Sequence, residues 1–241
     1  MGLELYLDLI SQPCRSVYIF AKKNNIPFEF KHVELLQGHN VQEFSNISTL
    51  KKVPILKDGN FTLSESTAIL LYLSRKYNTP DHWYPSEIQK RAQVDEYMSW
   101  QHTTVRANAS KILWLKVVIP LFTGKPIPLE KLQEALDELN NSLKKFIEKF
   151  LQDKPFIVGS EISLADLMAI TELMQPAGAG CNIFEGQPKL VAWRNQVEEA
   201  VGKDLFQEAH EKILNAQDLR NIQIDPQMKE QMKPQLLKML K

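Results

Sequence analysis

Cysteine is scarce in these 241 residues: Cys14 and Cys181 stand far apart, in neither a C-x-x-C nor a zinc-ligand spacing. A disulfide framework is therefore excluded, and a reducing compartment is expected. The five histidines, at 32, 39, 82, 102 and 210, show no i,i+4 pairing, so no metal is expected. Charge of one sign is also missing. The 29 basic and 29 acidic residues cancel, leaving no overall field to recruit nucleic acid or an anionic membrane. Long hydrophobic runs are absent too: Ala68 to Leu73, and Trp114 to Phe122 with Lys116 inside it, fall far short of the ~20 apolar residues a membrane helix needs. Glu4 and Asp8 interrupt the first apolar run, which does not read as a signal peptide, and Tyr6 spoils a myristoylation pattern. The expectation is a cytoplasmic globular protein. Its 44% hydrophobic and 24% charged residues can fill one large or two smaller cores.

The periodicity divides the chain. Leu3 to Leu9 predicts a strand, Pro13 to Asn24 a helix and Phe28 to Glu34 a second strand; Val53 to Leu56 and Phe61 to Leu63 flank a Lys57-Asp58-Gly59-Asn60 turn, and Glu65 to Tyr77 predicts a helix. The order is βαβ, then ββα. A segment with two prolines, 79–86, reads as a linker. Beyond it helical periods cover 86–118, 129–151, 163–175, 188–200, 204–216 and 225–240, with prolines mostly as boundaries and Pro234 as a kink. Phe156-Ile157-Val158 is ambiguous. The fold class is α/β plus all-α: a domain at 1–78, the linker at 79–86 and a helical domain at 87–241. Ser163 and Asp166 form a capping box, with Ile162 and Leu167 placed for a hydrophobic staple, and are assigned to folding.

Three stretches carry the candidate chemistry. In Ser11-Gln12-Pro13-Cys14-Arg15, Pro opens a helix directly after a strand, so Ser11 sits at a helix N-terminus. Unpaired N–H groups and partial positive charge there favour an anion. Ser occupies the first place of a redox C-x-x-C turn and Cys14 the second, a geometry suited to holding another molecule's thiolate; an ordinary cap would use the same residue. Lys51-Lys52-Val53-Pro54 precedes an edge strand, and a cis Val53-Pro54 bond would offer the backbone of Val53 to an extended peptide. Glu65-Ser66 opens a further helix, where the Ser66 hydroxyl and free amides could bind a carboxylate while Glu65 takes an amine.

Together these stretches resemble the thioredoxin-like half of the cytosolic glutathione transferases, and the chain is similar in particular to the theta class. The resemblance runs from residue 2 to about residue 214, through Trp83-Tyr84-Pro85, Val94-Asp95-Glu96-Tyr97, Trp100-Gln101-His102-Thr103-Thr104, Ser163-Leu164-Ala165-Asp166-Leu167 and Phe184-Glu185-Gly186-Gln187-Pro188-Lys189-Leu190. It implies a transferase that joins the glutathione thiolate to small apolar electrophiles such as alkyl and arylalkyl halides, epoxides and sulfate esters, with hydroperoxide reduction as a further activity. Glutathione is then a co-substrate, no other cofactor is implied, and the assembly is a homodimer with Asp95 to Thr104 near its interface. By the same resemblance Ser11 is the catalytic residue at the sulfur. Gln12, His39, Asn40, Lys52, Val53, Pro54, Glu65, Ser66 and Arg106 bind glutathione, and His102, Trp114, Met174, Gln175 and Gln235 line the electrophile pocket. The chain departs from the family pattern at Asn40, with the histidine one place earlier at His39, and at Gln235, where relatives carry an aromatic or basic residue. A non-catalytic ligand-binding protein and a thiol-disulfide enzyme using Cys14 are the competing readings.

Overall fold

The computed structural model describes residues 2–35, 47, 49–221 and 224–238. Apolar residues alternate through the first strand, β1 (Leu3–Leu7), which is followed by α1 (Gln12–Lys23), β2 (Glu29–His32), β3 (Ile55–Asp58), β4 (Phe61–Ser64) and α2 (Ser66–Lys76). The sheet order is β2-β1-β3-β4, with β1 parallel to β2 and antiparallel to β3, and β3 antiparallel to β4. Leu3, Leu5 and Leu7 join Val17, Phe20, Ile69 and Leu73 in the main core, whereas Tyr6 on the other face packs with Val33 and Ile55. The strand period of two thus gives β1 two buried faces. The expected βαβ and ββα order holds, with β1 and β2 shorter than expected and β3 shifted to Ile55–Asp58. β1 ends where Asp8 turns the chain, and β3 begins only after Pro54, which has no N–H to give the ladder.

Asp81–Trp83 forms a single 3₁₀ turn in the expected linker. Trp83 is 1% exposed and meets the Phe20 ring edge-on at 5.4 Å, and His82 Nδ1 lies 2.6 Å from the Ile162 carbonyl, so this segment is pinned at both sides. Helices α3 (Ile88–Thr103), α4 (Val105–Leu113), α5 (Ile119–Thr123), α6 (Leu129–Lys145), α7 (Leu164–Gly178), α8 (Pro188–Val201), α9 (Lys203–Leu214) and α10 (Pro226–Lys238) follow. Three boundaries differ from the sequence reading. The expected helix over 86–118 is broken at Thr104, whose hydroxyl donates to the Trp100 carbonyl at 2.6 Å, the back-bonding that bends helices. It then runs on past 118, because wide π-type turns at Trp114–Val118 make room for the Pro120 ring that would clash with a regular turn. Pro176, expected as a boundary, lies inside the last turn of α7.

Every residue of α7 from Leu164 to Pro176 is buried, making it the central helix of the second half. Its start is fixed by Asp166, whose carboxylate accepts the Ser163 N–H and hydroxyl at 3.0 Å each, the Ile157 N–H at 2.8 Å and the Trp193 indole N–H at 2.9 Å. The sequence showed the Ser163 and Asp166 part of this hub; the two long-range donors needed the fold. Among the described residues no helix is long and apolar enough to cross a membrane.

Candidate active site

Sheet topology brings the three candidate stretches to one edge. β1 ends toward Ser11, Tyr6 of β1 is paired with Ile55, and Ile55 is paired with Ser64. Val53-Pro54 therefore enters the sheet, and Glu65-Ser66 leaves it, at the end where the β1–α1 turn lies. The Val53-Pro54 bond is cis. Glu65 has φ +71° and ψ 114°, backbone that a non-glycine residue rarely adopts and that costs about 1–3 kcal/mol. This strained residue directly precedes α2. Glu65 itself is exposed, whereas Ser66 is buried as the first residue of α2, beside the amides of the first turn that lack intrahelical acceptors.

Ser11 is the N-cap of α1, with extended backbone. Its N–H donates to the Asp8 carbonyl at 2.9 Å and its carbonyl accepts the Arg15 N–H at 3.1 Å, yet its side chain makes no capping bond. Ser11 is half-exposed. The turn itself is held by Asp8, which sequence reading used merely as a charge interrupting an apolar run. The Asp8 carboxylate is 1% exposed and accepts the Ile10 N–H and the Leu35 N–H at 3.1 Å each, and the Lys212 ammonium at 2.7 Å. Cys14 is wholly buried. Burial pushes its thiol up to about 12, against smaller lowering by Asp8 backbone and Ser11 hydrogen bonds, so it is a protonated core side chain at neutral pH and the thiol-disulfide reading falls.

Beneath this turn lies a polar network that joins the two halves. Arg15, fully buried, donates to the carbonyls of Leu9 at 2.9 Å, Ile10 at 3.0 Å and Thr171 at 2.8 Å, and to Gln175 Oε1 at 2.6 Å. Gln175 Nε2 donates to the Ile10 carbonyl at 3.2 Å and to Gln12 Oε1 at 3.1 Å, and Gln12 Nε2 reaches Ser110 Oγ at 2.5 Å. Ser16 and Thr171 hydroxyls meet at 2.6 Å. Glu172 completes the group: it stands 3.8 Å from Arg106 Nε, and the Gln12 side chain favours its charged form. Burial pushes its carboxyl up to about 7, held back by Arg106, Gln12 and Arg15. Sequence reading missed Arg15 and Glu172 as organisers of the site. The available signal was a lone acid inside the apolar run 167–174, and an arginine two positions before the apolar residues Val17 to Ala21 of α1.

The expected site residues differ in burial and in partners. Gln12, at 8% exposure, and Gln175, at 2%, hydrogen-bond each other across the interface, and Gln12 also donates to Ser110. Met174 is 2% exposed and packs in the core. Trp114 is half-buried against the same core, His102 is exposed on the last turn of α3, Lys52 is exposed, Val53 packs beside Ile55, and Pro54 is buried. Arg106 keeps partial exposure while facing Glu172. His39 and Asn40, and the side chain of Gln235, lie outside the described residues.

A thioredoxin-like domain with three strand or helix ends gathered at one sheet edge, joined through buried polar groups to a helical domain, defines a two-domain transferase class. Residues 5–81 match the family description "Glutathione S-transferase, N-terminal domain" and residues 106–200 match "Glutathione S-transferase, C-terminal domain". The chain is 65% identical to chicken (Gallus gallus) glutathione S-transferase theta-1, with 100% of each covered. It superposes on the apo form of human glutathione-S-transferase T1-1 with TM-score 0.93 and 57% identity, again with 100% of each covered. A human theta-class transferase in complex with the glutathione conjugate of 1-menaphthyl sulfate gives TM-score 0.93 and 46% identity over 100% of both chains. The chain belongs to the glutathione S-transferase family, and within it to the theta class.

Proposed function

We infer that this transferase uses Ser11 to hold the glutathione thiolate for attack on a small apolar electrophile. The observation that carries the reading is the Ser11 hydroxyl at the head of α1, free of any capping bond, on the sheet edge shared with Val53-Pro54 and Glu65-Ser66. Val53 would pair through its backbone with the cysteinyl unit. Ser66 and the first turn of α2 would take the γ-glutamyl carboxylate, and the exposed Glu65 its amine. Lys52 and Arg106 would add positive charge near the tripeptide. A human theta-class relative holds a glutathione conjugate, which favours this over a non-catalytic binding role. Alkyl and arylalkyl halides, epoxides and sulfate esters are the proposed electrophiles, with hydroperoxides as a secondary class, and His102 and Trp114 remain the candidate contacts to them.

The direct test is the ultraviolet thiolate absorbance of the protein titrated with glutathione across pH. A bound-thiol pKa well below the ordinary ~8.5 supports the reading, and binding without a lowered pKa returns it to the non-catalytic alternative. Ser66→Ala separates binding from chemistry. Loss of a hydrogen bond to a charged carboxylate costs about 1.5–3 kcal/mol, so the glutathione Kd should rise about tenfold or more while turnover at saturation stays near the wild-type value. A Kd within twofold of wild type would remove Ser66 from the site.

The proposed division is a glutathione-binding domain at 1–78, a linker at 79–86 and an electrophile-binding helical domain at 87–241. We propose a homodimer with Asp95 to Thr104 near its interface; sedimentation at micromolar concentration should give a dimer, and a monomer there rejects it. A cytoplasmic location accords with two unpaired cysteines, one buried and one half-buried.

A further inference from the structure

We propose that Glu172 is a positioning residue for the transfer reaction: its buried carboxylate holds Gln12 of the sheet domain and Arg106 of the helical domain in one arrangement around the head of α1. The inference rests on the assignment of Ser11 above. Gln12 directly follows Ser11, its amide is fixed by two partners of the helical domain, Ser110 and Gln175, and its side chain favours the charged form of Glu172. Arg106 Nε lies 3.8 Å from Glu172 Oε1, with 28% of the arginine side chain still exposed. Glu172 thus meets the neighbour of the thiolate-holding serine from one side and a partly open cation from the other.

The site is a poor one for stability alone. Glu172 is 1% exposed, and its Oε2 is buried without a hydrogen-bond partner. A desolvated, incompletely paired carboxylate seldom repays its burial, and a neutral residue of equal shape folds as well or better. The charged and titratable groups facing it are Arg106 on α4, Arg15 on α1 and Tyr97 on α3, whose own phenol is raised well above its usual range by burial and then by Glu172 and Asp166. His210 on α9 and Arg194 on α8 bear on each other, and His210 on Arg15. Burial raises Glu172 to about 7, so protonation over this range cancels the charge that holds Arg106. The folded-state value lies above the unfolded one. This acid therefore withdraws stability as pH climbs from its ordinary value through about 7, and Glu172→Gln should melt no lower than wild type above that point.

The experiment is a pH series of kcat/KM for Glu172→Gln, Arg106→Gln, the double variant and Ser11→Ala, with the melting temperature of each. Glu172→Gln is expected to keep its melting temperature and lose about tenfold in kcat/KM above neutral pH, as a displaced binding or positioning group does. Wild type should lose activity with two protonations on the acid side, the thiol and Glu172, and Glu172→Gln with one. If Glu172 acts through Arg106, the double variant falls no further than Arg106→Gln, and the losses do not multiply. Wild-type kinetics and pH profile in Glu172→Gln, multiplied losses, or a variant that unfolds would each overturn the proposal. Ser11→Ala keeps the two readings apart: a wild-type thiol pKa in that variant rejects the serine mechanism, whereas a shift there with no effect at Glu172 rejects the positioning role.

Discussion

Ser11→Ala should lower turnover by about ten- to a hundredfold while changing glutathione affinity by no more than a few-fold. The magnitude follows from what the head of α1 must supply. A free thiol near pKa 8.5 is about 3% ionised at neutral pH, and lowering it by about two units, some 2.7 kcal/mol, makes it mostly thiolate. One hydrogen bond to a charged acceptor contributes about 1.5–3 kcal/mol and a helix N-terminus about 0.3–1 kcal/mol. Hydroxyl and helix together therefore suffice without a general base, and the hydroxyl is the larger part. The structure leaves that hydroxyl available: the side chain makes no capping bond, while the backbone of Ser11 is fixed by Asp8 and Arg15. Alanine should accordingly fold with the same turn, and the tripeptide contacts at Val53 and Ser66 would survive. Because the deficit is one of ionisation, it should shrink as pH rises and nearly vanish once the variant's bound thiol is itself ionised. Stopped-flow turnover, together with the thiolate absorbance titrated with pH, measures both quantities. A loss that is constant across pH would instead assign Ser11 to orientation, and an unchanged rate would remove it from the reaction.

The parts of this site that were legible in the sequence are those governed by local rules. Pro13 sets a helix start, the strand before it is visible from alternating leucines, and Glu65-Ser66 follows a short hairpin with an evident turn; these fix Ser11 and Ser66 at helix N-termini before any fold is known. What the sequence could not show depends on meetings across the chain. Gln12 and Gln175 lie 163 residues apart in the sequence, and only the fold turns them toward each other. Arg15, a charge beside the apolar face of α1, needs several buried acceptors and finds them in Leu9, Ile10, Thr171 and Gln175. Likewise, the left-handed backbone of Glu65 carries no sequence mark, since strain of this kind is imposed by the surroundings. Pro120 and Pro176 read as boundaries by the usual rule; the first is accommodated by wide turns that no periodicity reveals, and the second falls where few turns remain to be broken.

Gly178→Ala should destabilise the protein by about 3 kcal/mol, at the upper end of what overpacking a tight contact costs, although glycine to alanine within a helix ordinarily gains up to about 1 kcal/mol. Gly178 ends α7, and a Cβ there would stand 2.2 Å from the Ile213 carbonyl oxygen and 2.8 Å from its carbonyl carbon and Cγ1. The obstruction is chiefly backbone of α9, so no rotamer change relieves it and the two helices must separate. For a chain of this size each kcal/mol lowers Tm by about 2–4 °C, which predicts a fall of about 6–12 °C in a thermal melt. The consequence should extend to the site, because α9 also reaches the sheet domain. Glu208 accepts the Tyr18 hydroxyl of α1, and Lys212, one residue before Ile213, holds the Asp8 carboxylate beneath the Ser11 turn at 2.7 Å. Moving α9 outward therefore loosens the turn that carries the thiolate-binding hydroxyl. The folded fraction of Gly178→Ala, assayed well below its melting temperature, should show a raised bound-thiol pKa as well as lower stability. A variant that melts within about 1 °C of wild type would show that α7 and α9 part without cost. One that melts low but keeps a wild-type thiol pKa would show that the grip on Asp8 tolerates the displacement.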